Sequence, residues 1–148
     1  MVSATSGLAN RSHVGLSANQ TNRRTLETLS DVIRPAASST LSGFDAHGVA
    51  TAPQFQPVTG AVAGMRQLGP VTRVEWRATA PVQGIANAGE LVVVRSGVAK
   101  RVPGIVPSGG FTVTLAGSAL HIHVQTAAVT TSGATTLVSG DTSVTLRN

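Results

Sequence analysis

The chain has no cysteine and no tyrosine, one tryptophan, three phenylalanines and one lysine, Lys100. Without cysteine there is neither a disulfide framework nor a thiolate metal site. Aromatic residues make up 3% of the chain, too few for the stacking platforms that hold single-stranded nucleic acid. Charged residues account for 11%, and Glu, Lys and Leu are too sparse for a coiled coil or a helical bundle. Long apolar runs are missing too. Gly, Thr, Pro or Arg interrupts every hydrophobic stretch before the roughly 18 residues that a membrane-spanning helix needs. The opening Met1-Val2-Ser3-Ala4-Thr5-Ser6 lacks the basic-then-apolar order of a secretory signal, so synthesis in the cytoplasm without a signal peptide is expected.

What remains is 148 residues dominated by Gly, Ala, Ser, Thr and Val, enough for one domain with its own core. Eleven basic residues, all arginine except Lys100, stand against six acids and give a net charge of +5. Arg66, Arg73, Arg77, Arg95, Lys100 and Arg101 fall within one stretch, opposed by Glu75 and Glu90. Such a balance favours an acidic neighbour, whereas dedicated nucleic-acid binders concentrate charge more densely and interleave aromatics. Nucleic acid is therefore the lesser expectation for a partner.

Residues 1–20 show neither helical nor strand period and read as an extended N-terminal arm. In 21–35, Leu26, Leu29 and Ile33 form a narrow apolar stripe, Asn22 can cap and Pro35 forces a stop, which predicts one short helix. Residues 36–69, with Pro53, Pro57 and frequent Gly and Ser, read as a linker that crosses another surface.

Over 70–148 the pattern changes to strands. Val74 and Trp76 alternate with Arg73, Glu75 and Arg77, while Leu91 to Val94 is continuously apolar, as in a strand buried on both faces. Phe111, Val113 and Leu115 face one way in FTVTL; Leu120, Ile122 and Val124 do so in LHIHV, with a four-residue Ala-Gly-Ser-Ala loop expected between them. The end of the chain repeats the design, with Ser139-Gly140-Asp141-Thr142 as a turn and Val144 and Leu146 inward. The expected fold is mainly β, a small antiparallel β-sandwich or barrel with an extended N-terminal arm and one short helix.

Few residues carry chemistry. The acids occur singly, G-x-S-x-G and phosphate-loop spacings are missing, and neither catalysis nor a cofactor is expected. His121 and His123 lie two apart, which puts both imidazoles on one strand face and makes them the one candidate metal pair. Completing a site would require His13, His47 or symmetry-related copies, and the bland reading is a solvent-facing pair. His-x-His pairs of this kind hold iron at trimeric viral spike tips, a resemblance of three residues. Candidate partner-binding residues are Arg11, Arg23, Arg24 and Arg34, with Arg23 and Arg24 placed unfavourably for a helix start, and Trp76, whose alternative is the core.

The run Asn87-Ala-Gly-Glu-Leu-Val-Val-Val-Arg-Ser-Gly-Val-Ala, followed by Val102-Pro-Gly-Ile-Val-Pro-Ser-Gly-Gly-Phe-Thr-Val-Thr-Leu-Ala-Gly, resembles a stretch of the small decoration (cement) proteins of tailed-bacteriophage capsids. It covers about 40 residues of the β region and none of residues 1–70. The resemblance implies a virion protein, trimeric, that binds the major capsid protein or other virion proteins on the outer lattice and stabilises the shell. Two alternatives stand beside it: a tail-spike, fibre or other attachment component with a host-binding or metal-tipped end, and a small coat protein whose arginines meet packaged nucleic acid.

Overall fold

The computed structural model describes residues 2–82, 85–129 and 134–146, with side chains described from Ala18 onward. Helix α1 (Val2–Ile33) is followed by ten strands: β1 (Val49–Ala50), β2 (Gln54–Phe55), β3 (Val58–Val62), β4 (Met65–Leu68), β5 (Thr72–Ala78), β6 (Gly89–Arg95), β7 (Val98–Arg101), β8 (Phe111–Ala116), β9 (Ala119–Val129) and β10 (Thr135–Thr145). They form two antiparallel four-stranded sheets, ordered β1-β8-β9-β10 and β2-β5-β6-β7, and a separate β3-β4 hairpin. The fold is thus mainly β and sandwich-like, as expected.

One core joins the two sheets and the helix. Leu120, Ile122, Val124, Val113 and Phe111 face Val74, Leu91 and Val93, and Leu29 and Ile33 of α1 are fully buried among them. Each such side chain contributes about 1.5–3 kcal/mol on burial. The apolar run of β6 is buried on both faces for a specific reason. Val92 pairs with Glu75 and Arg101 across the sheet, and the stems of the charged residues roof it.

Four expectations are corrected. The helix runs from Val2 rather than from residue 21, so residues 2–20 are helical where an irregular arm was expected. Gly7 and Gly15 each weaken a helix by about 1 kcal/mol, but no proline precedes Pro35, and a helix nucleated by the docking of its later turns gains one hydrogen bond for each added residue.

The segment 36–69 is part of the domain and not a linker. Ala36, Ala37, Ala50 and Phe55 are buried, and β1 and β2 add one strand to each sheet. Strands of two residues show no period, and Pro53 and Pro57 sit at their borders, where the missing N–H costs no ladder bond.

Ser139-Gly140-Asp141-Thr142 is no turn but the middle of β10, paired residue by residue with Gln125, Val124, His123 and Ile122. The β8–β9 connection is likewise tighter than expected, with Gly117 and Ser118 alone between paired Ala116 and Ala119.

Gly140 lies in that strand because α1 crosses it closely. A Cβ there would overlap the Asn22 amide and come within 2.6 Å of Leu26 Cδ1. Asn22 Nδ2 donates to the Val138 carbonyl at 2.9 Å and Thr126 Oγ1 at 3.0 Å, with the Val124 carbonyl at 3.3 Å. Thr25 Oγ1 donates to the Pro103 carbonyl at 2.6 Å, with the Thr21 carbonyl as a second acceptor at 2.9 Å. Gly140→Val is expected to destabilise the protein by about 1–3 kcal/mol through overpacking, and by less in an Asn22→Ala background, where the crowding amide is gone. Chemical denaturation of the four proteins of this cycle measures both costs.

Candidate functional site

β9 and β10 carry His121, His123, Asp141 and Ser143 on the face turned away from the core, because Leu120, Ile122 and Val124 claim the other face. The register sets His123 opposite Asp141 and His121 opposite Ser143. Asp141 Oδ1 accepts from both rings, at 2.8 Å from His123 Nδ1 and 3.2 Å from His121 Nε2. The carboxylate has no proton to give, so each of these nitrogens carries the hydrogen. With Nε2–H on Asp141, neutral His121 accepts the Ser143 hydroxyl at Nδ1, 3.0 Å away.

This chain of contacts, Ser143 to His121 to Asp141, has the order of a nucleophile, its base and an orienting acid. Catalysis further needs donors aimed at a developing oxyanion and a cavity for substrate. The four side chains instead lie on an exposed sheet face, and neither of the two main grooves is lined by Ser143 or either histidine. Among the described residues no group of three or more His, Cys, Asp or Glu is placed to hold a metal ion. The candidate pair His121 and His123 is brought together, but onto a carboxylate. His47 is elsewhere, in a turn where its N–H donates to Asp45 Oδ1 at 2.8 Å, and the side chain of His13 lies outside the described residues.

The partner-binding candidates are dispersed. Arg23 and Arg24 are exposed on α1, Arg34 pairs with Asp31 at 3.2 Å, and the Arg11 side chain lies outside the described residues. Trp76 is committed to the fold. Its ring packs onto Gly89, and Nε1 donates to the Val106 carbonyl at 2.8 Å. The neighbouring arginines engage Glu75, Arg77 at 2.7 Å and Arg73 at 3.4 Å, and Arg101 pairs with Glu90. The hydrogen bond from Arg77 holds the Glu75 carboxyl below its ordinary range, with both arginine charges adding to the effect against partial desolvation. Three of the six basic residues of this stretch are thus paired with the protein's own acids.

Sequence reasoning missed the β3–β4 hairpin. Its strands expose nearly every side chain, with Val62 at 58%, Met65 at 75% and Leu68 at 43%, and Val71 just beyond at 48%. The root is tight: Gly69 N–H donates to the Pro57 carbonyl at 2.7 Å, and a Cβ on Gly69 would meet Pro57 and Thr59 at 2.9 Å. The tip is a two-residue turn with both Ala63 and Gly64 at positive φ, 52° and 78°. The Ala63-Gly64 pair between Val62 and Met65 was the available signal, weak because alanine seldom takes this conformation.

No family model, no curated protein and no solved structure matches this chain. Among the described residues, no helix is long and apolar enough to cross a membrane.

The hydrogen bond from His123 is the main reason the Asp141 carboxyl sits below the usual aspartate range, with His121 adding to it against partial desolvation. A depressed carboxyl contributes stability that is present above its unfolded value, about 3.9, and lost as pH falls through the native one. Carboxyl NMR titration should place Asp141 below an ordinary aspartate, and His123→Gln should raise it. An unchanged titration in that variant would show that His123 is not the cause.

Proposed function

We propose that this protein is a structural component that docks on a larger protein lattice, in the manner of a capsid decoration protein, and that the β3–β4 hairpin is its docking element. The supporting observation is the apolar tip. Val62 and Met65 pair across the turn and project from a two-stranded ribbon that the rest of the protein does not cover, with Leu68 exposed nearer the root. A ribbon of two strands is marginal in water by itself, and grouped exposed apolar side chains are the mark of an interaction surface. Arg66 lies on the same ribbon and gives the tip a charge suited to an acidic rim.

The mechanism is physical. A protein bound across the seam between two lattice units adds buried interface that must be broken before the units separate. Many copies multiply this small increment, and engagement of two neighbouring units by one body gains affinity by raising effective concentration.

Met65→Asp and Val62→Asp are expected to leave the melting temperature within about 1–2 °C, since both side chains are exposed, while lowering co-sedimentation with particles from the source lysate at least tenfold. Hundreds of native copies per particle would support a lattice component. Recovery of the native protein only as a free small species would remove the reading.

A further inference from the structure

β10 is the last strand of its sheet, eleven residues long, and its outer edge is open along that length among the described residues. Leu146 N–H bonds to the Ser118 carbonyl at 2.8 Å, which fixes the alternation of the ladder. Val144, Thr142, Gly140 and Val138 direct their backbone groups to β9, and Thr145, Ser143, Asp141, Ser139 and Leu137 direct theirs outward. Exposed edges of this length are normally blunted by lysine, arginine or proline. β7, the edge of the other sheet, carries Lys100 and Arg101; β10 has none of these and one charge, Asp141.

We propose that this edge is the pairing surface for a second copy of the chain, β10 against β10 in antiparallel register about a two-fold axis at Gly140. Gly140 is the midpoint of Thr135–Thr145, so pairing about it overlaps the full strand. In that register Ser139 faces Asp141 of the partner subunit, Leu137 faces Ser143 of the partner subunit and Thr135 faces Thr145 of the partner subunit. All of these are outward-directed positions, so the narrow hydrogen-bonded pairs form in phase. Centring on Asp141 instead would set the carboxylate against its own copy, and a slip of one residue would put outward groups opposite inward ones.

A groove of about 890 Å³ between α1 and β10 supports the same centre. Its strand wall is Val138–Thr142, symmetric about Gly140, and its helix wall includes Arg23, Leu26, Glu27 and Ser30. Arrival of a second strand at the edge covers this wall and places the half-buried Val138 and Thr142 under new contacts. The product is one continuous eight-stranded sheet closed by a two-fold axis.

The test is the mass of the isolated full chain in solution, by light scattering at tens of micromolar. Twice 15.0 kDa is expected. Ser139→Pro removes an outward N–H and no bond to β9, and Leu137→Lys puts a cation on an exposed edge position; each should give the monomer with an unchanged circular dichroism spectrum. If Ser139→Pro fails to fold, Leu137→Lys decides. A native monomer, a trimer, or a dimer that survives Leu137→Lys overturns the proposal.

Discussion

Helix α1 reaches the inner face of the β9–β10 hairpin because β10 has no side chain at position 140. Everything on that side follows from the contact. Asn22 enters where a Cβ would otherwise stand, its amide ties together Val124, Thr126 and Val138, and Leu29 and Ile33 are carried about two and three turns onward into the space between the sheets. The helix fills the place that further strands occupy in a larger sandwich. A polar anchor at this point is worth more than an apolar one, because the carbonyls it bonds would be expensive to bury unpaired.

The two sheet faces that meet solvent solve different problems. On β5–β7, Glu75 and Glu90 gather the surrounding arginines, and the aliphatic stems of these residues shield Val92. Exposed ion pairs contribute little each, so their value there is coverage. On β9–β10 a single carboxylate holds two imidazoles, one of which meets the Ser143 hydroxyl, giving an exposed polar face.

Strands with regular alternation were legible in the sequence. Val74 and Trp76 against Arg73, Glu75 and Arg77, and Leu120, Ile122 and Val124 against the histidines, lie on opposite faces as their spacing predicts. The features that failed are those whose cause is distant in sequence. Ser139 to Thr142 has the composition of a turn, yet glycine stands there for the sake of Asn22, more than a hundred residues away, and so Asp141 arrives beside the histidines unannounced. β1 and β2 are too short for any period, and their burial comes from the sheets they join. The exposed hairpin was hidden by the opposite fault, since Val62, Met65 and Leu68 read as ordinary apolar residues until the surface they occupy is known.

The partners of α1 and β1 also impose an order of events on folding. Val49 pairs with Thr114, and Asn22 bonds Val138, so both find these partners only when chain far downstream has been made. Local hairpins such as β5–β6–β7 and β8–β9–β10 can close at once, but the helix docks on strands β9 and β10 far downstream of it. Contacts of such long sequence separation slow the final step and leave Leu29 and Ile33 unburied throughout synthesis. A helix secured by a strand so far downstream depends on that strand being made: a chain that stops short of Val138 loses the close contact at Gly140 and one of the three acceptors of Asn22.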